Sequence, residues 1–594
     1  HKMLHASLVA VLILMDHCNG LDITYEVFGI TTDFLPVAFG DMNSDKLVDL
    51  FVVDRGRNRL KILFAVQDET IIGPAMNNQY FQERENSSCS FPGQVIKNII
   101  PADFTSDGAL DVLVVLQGQM DSPDSPYHIF LLPGNIDSLS CDKQLVANSS
   151  KEPFLLDYNG DMVPDLLYES VNEKGILYMW LSSGKAHVET LFSNQSSPLR
   201  KPHSSAFVDI NHDLMPDLVL DVDGGFNVFA GSLTGLNSPI LIPHPPGLVI
   251  GQSVFLDIDL NYGIDHLVGA CADAACHQVA LYVYRNNKWI ALDVNFHGEG
   301  STMWGFPVNQ DPFYLSTITF RTGDFNLDGY PDLIGTLKSG DKTRVVLLRN
   351  IPCNYCEFHR TFEIDSEIFQ EFGKTVMGTF FDIDEDGTLE VLLVRKAKNT
   401  EDLQSAAYRS NTIFDANFIK VMVTTGLCFT DCANENLHGK LVPYGTNQVG
   451  ATICYKTVRP NSDLQSACAP QLPQTAHLPL ALPYAVFGLG RTPNFVEQLD
   501  VGICPANGLN LTRSWTQIIP NSRMVIIPYP LDDPGHWINK LFLTLSHSLL
   551  QTLWALLGTF FANLVIVGIL HLRERKLDKL EKRTESHKFN FEAM

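Results

Sequence analysis

The sequence predicts an all-β ectodomain followed by a single transmembrane helix. The ectodomain is predicted to be a seven-bladed β-propeller over residues 21–411 and a β-sandwich domain over 412–532. Three observations predict this fold. An acidic motif recurs at intervals of 48 to 67 residues, short apolar runs flank each copy, and one long uncharged apolar run lies near the C-terminus. The 594 residues are 45% hydrophobic, which is enough for several cores.

Residues 1–20 have the features of a secretory signal peptide. Lys2 precedes an apolar core from Leu8 to Met15, and a short polar stretch follows as far as Gly20. The core is too short to cross a bilayer. We therefore expect the mature chain to begin at residue 21.

The acidic motif is clearest between Asp324 and Asp332. Oxygen-bearing side chains occupy positions 1, 3, 5 and 9, and Gly329 occupies position 6. Ca²⁺ takes roughly six to eight oxygen ligands, so alternating carboxylates around a sharp turn suit it. The motif resembles the first half of an EF-hand, but it closes at position 9 and is flanked by β-type residues. We name its seven copies acidic loops 1 to 7.

A single motif of this kind is usually an acidic surface turn, whereas seven copies in one register favour calcium sites. The copies hold 22 carboxylates against a net charge of −25, and we expect no nucleic-acid binding. In chain order, positions 1, 3, 5 and 9 are Asp41, Asn43, Asp45 and Asp49; Asp103, Thr105, Asp107 and Asp111; Asp157, Asn159, Asp161 and Asp165; Asp209, Asn211, Asp213 and Asp217; Asp257, Asp259, Asn261 and Asp265; Asp324, Asn326, Asp328 and Asp332; and Asp382, Asp384, Asp386 and Glu390.

Position 6 divides the loops into two groups, because glycine adopts a positive φ at little cost and other residues do not. If the turn needs a positive φ, loops without glycine are strained, weaker or empty, and loops 2, 6 and 7 are the strongest candidates. Position 6 is Gly108, Gly329 and Gly387 in those three loops, and Lys46, Met162, Leu214 and Tyr262 in loops 1, 3, 4 and 5.

The repeats have the pattern of β-structure. The fifth repeat, for example, has apolar runs at 253–256, 266–268 and 278–284. Four strands per repeat are typical of propeller blades, and a linear solenoid is the alternative. In a ring, the N-terminal run Leu21–Phe28 would complete the last blade as a strand. Strand patterns without helix signals also predict the β-sandwich at 412–532.

Several motifs resemble known families. Phe39-Gly40-Asp41 and the Asp-x-Asn-x-Asp-Gly-x-x-Asp loops resemble the FG-GAP repeats of integrin α-subunit propellers. Together with Ala485–Arg491 and Phe589–Met594, they make nearly the whole chain similar to FG-GAP-containing type I membrane proteins. The resemblance implies a calcium-stiffened propeller on a cell-surface or shed glycoprotein that modulates T-cell responses. Gly450-Ala451 and Phe487–Gly490 resemble the domain that follows FG-GAP repeats in cartilage acidic protein relatives.

The run from Leu549 to Leu570 has 22 residues and no charged side chain, which is long enough to cross a bilayer core of about 30 Å. Basic residues from Arg573 follow, so the C-terminus is predicted to be cytoplasmic. We predict a single-pass type I protein of the cell membrane, with a juxtamembrane stalk at 533–548 and a cytoplasmic tail at 571–594. The tail is either a stop-transfer flank or a docking segment for a cytoplasmic adaptor.

The cysteines and glycosylation motifs fit a secreted ectodomain. Zinc is the competing interpretation for Cys353 and Cys356. The candidate disulfides between close pairs are Cys271/Cys276, Cys353/Cys356 and Cys428/Cys432, and longer candidates are Cys89/Cys141 and two of Cys454, Cys468 and Cys504. The N-x-S/T motifs that precede the membrane run lie at Asn86, Asn148, Asn194 and Asn510.

Two function classes follow from these features. The first is a non-enzymatic recognition protein whose protein ligand lies on another cell or in the matrix. The second is a surface hydrolase that uses the propeller as a scaffold, but the sequence contains no G-x-S-x-G and no H-E-x-x-H motif. A trafficking receptor acting through the tail is a third possibility. We expect no catalytic residues, a structural role for calcium, and ligand binding on the opposite face through segments 68–98 and 287–318.

Overall fold

The computed structural model describes residues 20–588 of the protein, with gaps. The gaps are 67–78, 119–121, 123–124, 136–137, 183–186, 193–196, 298–302, 309–312, 398–399, 401, 413–415, 428–443, 460–461, 492–494 and 544–546. The predicted signal peptide therefore lies outside the described residues. The chain forms two compact units, His1–Phe542 and Leu543–Met594. The first unit carries the β-structure, and the second is a long helix.

The N-terminal segment is only partly the strand that the sequence predicts. Strand β1 (Leu21–Asp22) is followed by helix α1 (Thr24–Phe28). The Thr24 N–H donates to Asp22 Oδ1 over 3.0 Å, and this bond turns the chain out of the strand. Ile23 and Val27 are buried at a helical spacing of four residues, which explains why a helix forms here.

Seven four-stranded antiparallel sheets follow one another along the first unit. Sheet 1 contains β2 (Phe34–Gly40), β3 (Asp49–Asp54), β4 (Arg59–Ala65) and β5 (Phe81–Ser90); sheet 2 contains β6 (Gln94–Ala102), β7 (Asp111–Gly118), β8 (Tyr127–Leu132) and β11 (Gln144–Ser149), beside the ribbon β9 (Gly134–Asn135) and β10 (Ser138–Leu139); sheet 3 contains β12 (Phe154–Leu156), β13 (Asp165–Glu169), β14 (Leu177–Leu181) and β15 (His187–Phe192); sheet 4 contains β16 (Ala206–Val208), β17 (Asp217–Val222), β18 (Gly225–Phe229) and β19 (Ile240–Pro243).

The remaining three sheets of this series have the same order. Sheet 5 contains β20 (Val249–Leu256), β21 (Asp265–Cys271), β22 (Val279–Arg285) and β23 (Lys288–Ala291); sheet 6 contains β24 (Phe320–Gly323), β25 (Asp332–Ser339), β26 (Lys342–Pro352) and β27 (Arg360–Asp365); sheet 7 contains β28 (Thr375–Phe381), β29 (Glu390–Lys396) and β30 (Leu403–Arg409), with β1 as its fourth strand. A short 3-10 helix, Gln370–Phe372, precedes sheet 7.

The series of sheets closes on itself. The first strands of sheets 1 and 2, 3 and 4, 5 and 6, and 6 and 7 contact each other. Sheet 7 in turn packs against sheet 1, where the rings of Phe39 and Phe381 stack with centroids 5.1 Å apart. The Ser405 hydroxyl donates to the Phe34 carbonyl over 2.6 Å at the same boundary. Strand β2 is buried at every residue because neighbouring sheets cover both of its faces, which is why it is continuously apolar.

The C-terminal part of the first unit is a pair of four-stranded sheets, which we call the sandwich. One sheet has the order β34 (Ala485–Gly490), β31 (Asn417–Val423), β37 (Ser522–Ile527) and β38 (Ile538–Leu543); the other has the order β33 (Leu464–Gln471), β32 (Ala451–Val458), β35 (Val496–Gly502) and β36 (Thr512–Ile518). Buried side chains of both sheets, including Ile419 and Tyr455, form one core together with Trp537, which directly precedes β38. Strand β38 extends this domain into the range 533–548, which the sequence predicts as a stalk.

The second unit is helix α2 (His547–Lys588). Its Thr552–Arg583 part is long and apolar enough to cross a membrane, in agreement with the predicted span 549–570. The helix continues past Leu570 into the charged tail, where Leu, Glu, Lys and Arg are all good helix formers.

Candidate functional site

All seven acidic loops connect the first and second strands of a sheet. Position 1 directly follows the first strand, and position 9 is the first residue of the second strand. The residue before position 1 pairs with position 9 in every sheet, from Gly40↔Asp49 in sheet 1 to Phe381↔Glu390 in sheet 7. The common register gives the seven loops the same geometry at the same end of their sheets.

The backbone of the turn needs a positive φ at position 6 in every loop. The value is 81°, 95° and 80° at Gly108, Gly329 and Gly387. Non-glycine residues adopt it in the other four loops: 71° at Lys46, 70° at Met162, 65° at Leu214 and 70° at Tyr262. Position 4 also has a positive φ in all seven, which the sequence did not reveal.

Side-chain contacts with the sandwich accompany the unusual backbone at several of these positions. Met162 is 2% exposed and belongs to the sandwich core. The Tyr262 hydroxyl donates to Asp500, and the Lys46 ammonium lies 4.9 Å from the centre of the Tyr444 ring. The expected strain is therefore present, and contacts with the C-terminal domain offset it.

Two sets of backbone hydrogen bonds shape each loop. The N–H of position 6 donates to Oδ2 of position 1 over 2.8–3.2 Å in all seven loops. The N–H of position 2 donates to the carboxylate of position 9 over 2.8–3.3 Å, again in all seven. The carboxylates at positions 1 and 9 are thus held in place by the turn itself.

These carboxylates are difficult to ionise without a cation. Burial raises the pKa of Asp103 to about 7. Burial, with repulsion from Asp161 and Asp165, raises the pKa of Asp157 to about 8. A bound cation would remove both penalties, and the donors at positions 1, 3, 5 and 9 are all oxygens, as a hard cation such as Ca²⁺ requires. The donor chemistry of loops 1, 2, 3, 4 and 6 is therefore compatible with a hard cation.

Loops 5 and 7 differ from the other loops because basic side chains of the protein contact their carboxylates. One oxygen each from Asp257, Asp259 and Asp265 lie within 4.8 Å of one another, a spacing that could hold a metal ion. Arg285 already bridges Asp259 and Asp265 with contacts of 2.6 Å to each. In loop 7, Arg409 pairs with Asp384 over 2.8 Å and with Glu390 over 3.1 Å. Sequence reasoning missed both arginines.

The sandwich covers the loops and bonds directly to their position 1 carboxylates. Four loops accept such a bond at Oδ2, and the four bonds are Gln448 Nε2 to Asp157 (3.1 Å), Cys468 N to Asp257 (3.2 Å), Gly488 N to Asp324 (2.9 Å) and Lys420 Nζ to Asp382 (2.9 Å). Lys420 is 1% exposed and also contacts Glu385 over 2.7 Å. A lone lysine in the apolar run 418–423 was the sequence signal for this buried ion pair.

Residues 474–484, between β33 and β34 of the sandwich, enter the centre where the first strands meet. We call them the central segment. Side chains of first strands donate to five successive carbonyls of this segment: Asn98 to Ala476 (2.8 Å), Gln252 to His477 (3.3 Å), Arg321 to Leu478 and Pro479 (2.8 Å each), and Thr379 to Leu480 (3.3 Å). Leu478 and Leu480 are each 1% exposed and belong to a core that sheets 1, 2 and 7 share.

His477 anchors the central segment by both ring nitrogens. Nδ1 lies 3.0 Å from Glu152 Oε1, and Nε2 lies 2.7 Å from the Phe313 carbonyl. The Glu152 carboxylate is an acceptor and favours a proton on Nδ1, and Ser316 Oγ also lies 2.8 Å from Nε2. Burial opposes a positive charge on the ring, but the Glu152 carboxylate outweighs it and raises the pKa of His477.

The segments expected to bind ligand prove to be partly buried. Strand β5 occupies much of 68–98, and 67–78 lies outside the described residues. In 287–318, Phe313 and Leu315 are buried, and Phe313 contacts the central segment. Apolar side chains of both stretches are buried, so neither stretch is an exposed loop over its whole length.

The cysteines and most of the glycosylation motifs lie in the first unit. Disulfides join Cys89 to Cys141, Cys271 to Cys276, Cys353 to Cys356, and Cys454 to Cys468, while Cys504 is free and buried. Cys428 and Cys432 lie outside the described residues, as does Asn194. Asn86, Asn148 and Asn510 are exposed.

Comparison with known proteins agrees with this architecture. The family profile described as "ITFG1, C2 domain" matches residues 443–542, most of the sandwich. The T-cell immunomodulatory proteins of Homo sapiens and Mus musculus are each 36% identical to the chain, covering 96% of it and 94% of those proteins. Protein linkin of Caenorhabditis elegans is 28% identical, covering 94% of the chain and 95% of that protein.

Proposed function

The chain belongs to the T-cell immunomodulatory protein family, and from this premise we propose that it is a cell-surface glycoprotein that acts by binding another protein. The observation that carries the proposal is the central segment. A surface hydrolase needs an open cleft where titratable groups converge. Here residues 474–484 cross the centre and leave a cavity of only about 190 Å³ beside them, and the buried side chains of His477 and Glu152 are hydrogen-bonded to each other. We therefore propose that the protein acts by binding and not by catalysis.

The proposed architecture is a seven-bladed propeller of the FG-GAP type. Its support is the closure of sheet 7 by β1 from the N-terminus and the contact between sheets 7 and 1. Closing a ring in this way leaves no exposed terminal sheet. Seven blades lie within the usual range of roughly four to eight.

Calcium has a structural role in this proposal. The position 1 carboxylates of four loops are hydrogen-bonded to the sandwich, so a ligand from outside could not reach them without displacing that domain. Calcium would neutralise the buried carboxylates of the loops and hold the first two strands of each sheet together. We propose that the partner protein binds the face at the opposite end of the strands.

We propose a type I topology with the first unit outside the cell. Its support is the disulfides and exposed N-x-S/T motifs of the first unit, and the apolar helix followed by Arg573 and further basic residues. The relatives named for T-cell immunomodulation lead us to propose the same role here, on the cell surface or after shedding. The partner is a protein on another cell or in the matrix.

The connection between sheets 4 and 5 is the best candidate contact surface. It lies at the end of the strands opposite the acidic loops, because β20 begins there and runs toward loop 5. A groove of about 680 Å³ is lined there by residues including Arg200, Pro243 and Leu248. Leu248 is 74% exposed, so its apolar side chain is accessible to a partner.

The test compares two exposed leucines at opposite ends of sheet 4. Full-length protein is displayed on cells as wild type, Leu248→Asp or Leu233→Asp, and binding to unlabelled leukocyte and stromal cells is counted by flow cytometry. Leu233 is 44% exposed and lies between β18 and β19, at the end of the acidic loops. We expect Leu248→Asp to reduce binding at least tenfold and Leu233→Asp to leave it unchanged. The reverse pattern would place the partner on the loop face and refute this assignment.

A further inference from the structure

Acidic loops 5 and 7 share two features that set them apart. Position 3 is aspartate in these two loops, Asp259 and Asp384, and asparagine or threonine in the other five. The third strand of their sheets also ends in arginine, Arg285 in β22 and Arg409 in β30. Among the seven sheets, an acid at position 3 coincides with an arginine at the strand end only in these two.

The two arginines replace a contact that is otherwise made by the backbone. In the other five loops, the second oxygen of the position 9 carboxylate accepts a backbone N–H near the end of the third strand. The five donors are Ala65, Gly134, Ser182, Gly231 and Asn350. In loops 5 and 7 the corresponding oxygen accepts from the Nε of Arg285 and of Arg409, both over 3.1 Å.

Arg285 holds the carboxylates of loop 5 together. Its Nη1 and Nη2 lie 2.6 and 3.0 Å from the two oxygens of Asp259, and Nη2 lies 2.6 Å from Asp265 Oδ1. The guanidinium also lies over the Phe358 ring, 4.4 Å from its centre. This planar fork matches carboxylate geometry and remains charged at all physiological pH values. The three closely spaced carboxylates of loop 5 thus already contain a cation between them.

Three cations of the chain contact loop 7, one of which is Arg523, 2.8 Å from Glu385 at position 4. Arg409 contacts position 3 through Asp384 and position 9 through Glu390, and Lys420 contacts position 1 through Asp382. Loop 5 has the same number of carboxylates as loops 1 to 4 and 6, but the acid has moved from position 5, which is Asn261, to position 3, beside Arg285. In loops 5 and 7, therefore, an acid occupies position 3, where the arginine can contact it.

We propose that Arg285 and Arg409 take the place of calcium in acidic loops 5 and 7, so that these two loops are held together without metal. The inference rests on the calcium role proposed above for the other loops. Oxygens that accept short charged hydrogen bonds are not free to bind a metal, and a divalent ion beside a guanidinium would be repelled. Sheets 5 and 7 would then keep their loop geometry when calcium is removed.

The test counts calcium in purified full-length protein in detergent. After dialysis against excess Ca²⁺ and removal of free ion, elemental analysis gives the number of ions per chain. Two matched substitutions at position 9, Asp265→Asn in loop 5 and Asp332→Asn in loop 6, are measured beside wild type. Both carboxylates are buried, at 5% and 1% exposure, so their general structural cost is comparable. Melting temperatures with calcium and with chelator provide a second readout.

We expect at most five ions per wild-type chain. Asp332→Asn should lose one ion and narrow the gap between the melting temperatures with calcium and with chelator. Asp265→Asn should keep the wild-type ion count and lower both melting temperatures equally. A wild-type count of six or seven, or an ion lost from Asp265→Asn, overturns the proposal, and the wild-type count decides even if a variant does not fold. A wild-type chain without calcium overturns the calcium role itself.

Discussion

Gly488 of the sandwich donates its backbone N–H to Asp324 Oδ2 of acidic loop 6 over 2.9 Å, across 164 residues of chain. A Cβ at residue 488 would lie 2.2 Å from that oxygen and 2.4 Å from the backbone of Leu327. Glycine is therefore required by the closeness of the two domains at this point. The bond links the first residue of an acidic loop to the domain that covers it.

Gly488→Ala should loosen the sandwich from sheet 6. Overpacking of this kind costs about 1–3 kcal/mol of unfolding free energy. We expect a melting temperature several degrees lower for the full-length protein in detergent. Gly535→Ala is the control, because its Cβ would meet only Asp533 Oδ1, at 3.2 Å. Equal melting temperatures for the two variants would show that the two backbones are not held this closely.

Arg321→Ala should destabilise the protein through the central segment. The buried guanidinium donates to the carbonyls of Leu478, Pro479 and Gly378, and its removal leaves three buried acceptors without this donor. Each unsatisfied group costs about 1–3 kcal/mol. Chemical denaturation should show a loss of several kcal/mol, against less than about 0.5 kcal/mol for the exposed Arg59→Ala. A small effect at Arg321 would contradict the proposed anchoring.

His477→Gln should change how stability depends on pH. Because the folded-state pKa of His477 is raised, its ion pair with Glu152 contributes fully below the unfolded pKa of about 6.5. This contribution disappears as pH rises through the folded pKa. The stability difference between wild type and His477→Gln should therefore be larger at pH 6 than at pH 9. A difference that grew with pH would mean that the buried ring is neutral.

Calcium removal should lower the melting temperature, and single loops should contribute unequally. A ligand that binds only the folded state adds about 1–3 kcal/mol per site at ten to a hundred times Kd. Asp328→Ala should cost more than Asp45→Ala, because loop 6 has Gly329 at position 6 and loop 1 holds Lys46 at a φ of 71°. Thermal unfolding with and without chelator measures both effects. An Asp45→Ala variant that was the less stable of the two would contradict this order.

The exposed asparagines should carry glycans. Asn86, Asn148 and Asn510 are exposed, and Asn194 shares their sequence motif. Glycosidase treatment of protein from mammalian cells should lower its apparent mass on a gel, and the fourfold Asn→Gln variant should not shift. An unshifted wild type would contradict passage of the first unit through the secretory route.

The sequence predicted local features well because local patterns determine them. The register of the acidic loops follows from apolar strands on either side of each motif, and the long helix follows from an uncharged run. The central segment could not be predicted, because its carbonyls are bonded by side chains of four distant strands. Helix α1 was missed because burial of Ile23 and Val27 overrode a strand-like composition.

The arginines of loops 5 and 7 were missed for a different reason. The motif was interpreted from the positions that all seven loops share. The informative feature was a difference between loops, namely aspartate in place of asparagine at position 3. Carboxylates brought together at positions 3 and 9 repel each other unless a cation lies between them. Asp259 and Asp384 were therefore the signal for Arg285 and Arg409, which lie 26 and 25 residues further along the chain.

The late arrival of two segments has a consequence for synthesis. The Thr24 hydroxyl accepts a hydrogen bond from the N–H of Ala407, 383 residues later. The Asn98 side chain donates to the carbonyl of Ala476, 378 residues later. At about 5–20 residues per second, the N-terminal segment and the first two sheets emerge from the ribosome tens of seconds before either partner. During that interval their apolar edges are uncovered. Nascent chains of this protein should therefore depend on chaperones until the sandwich has been translated, and messages truncated before residue 484 should yield products that are retained and degraded.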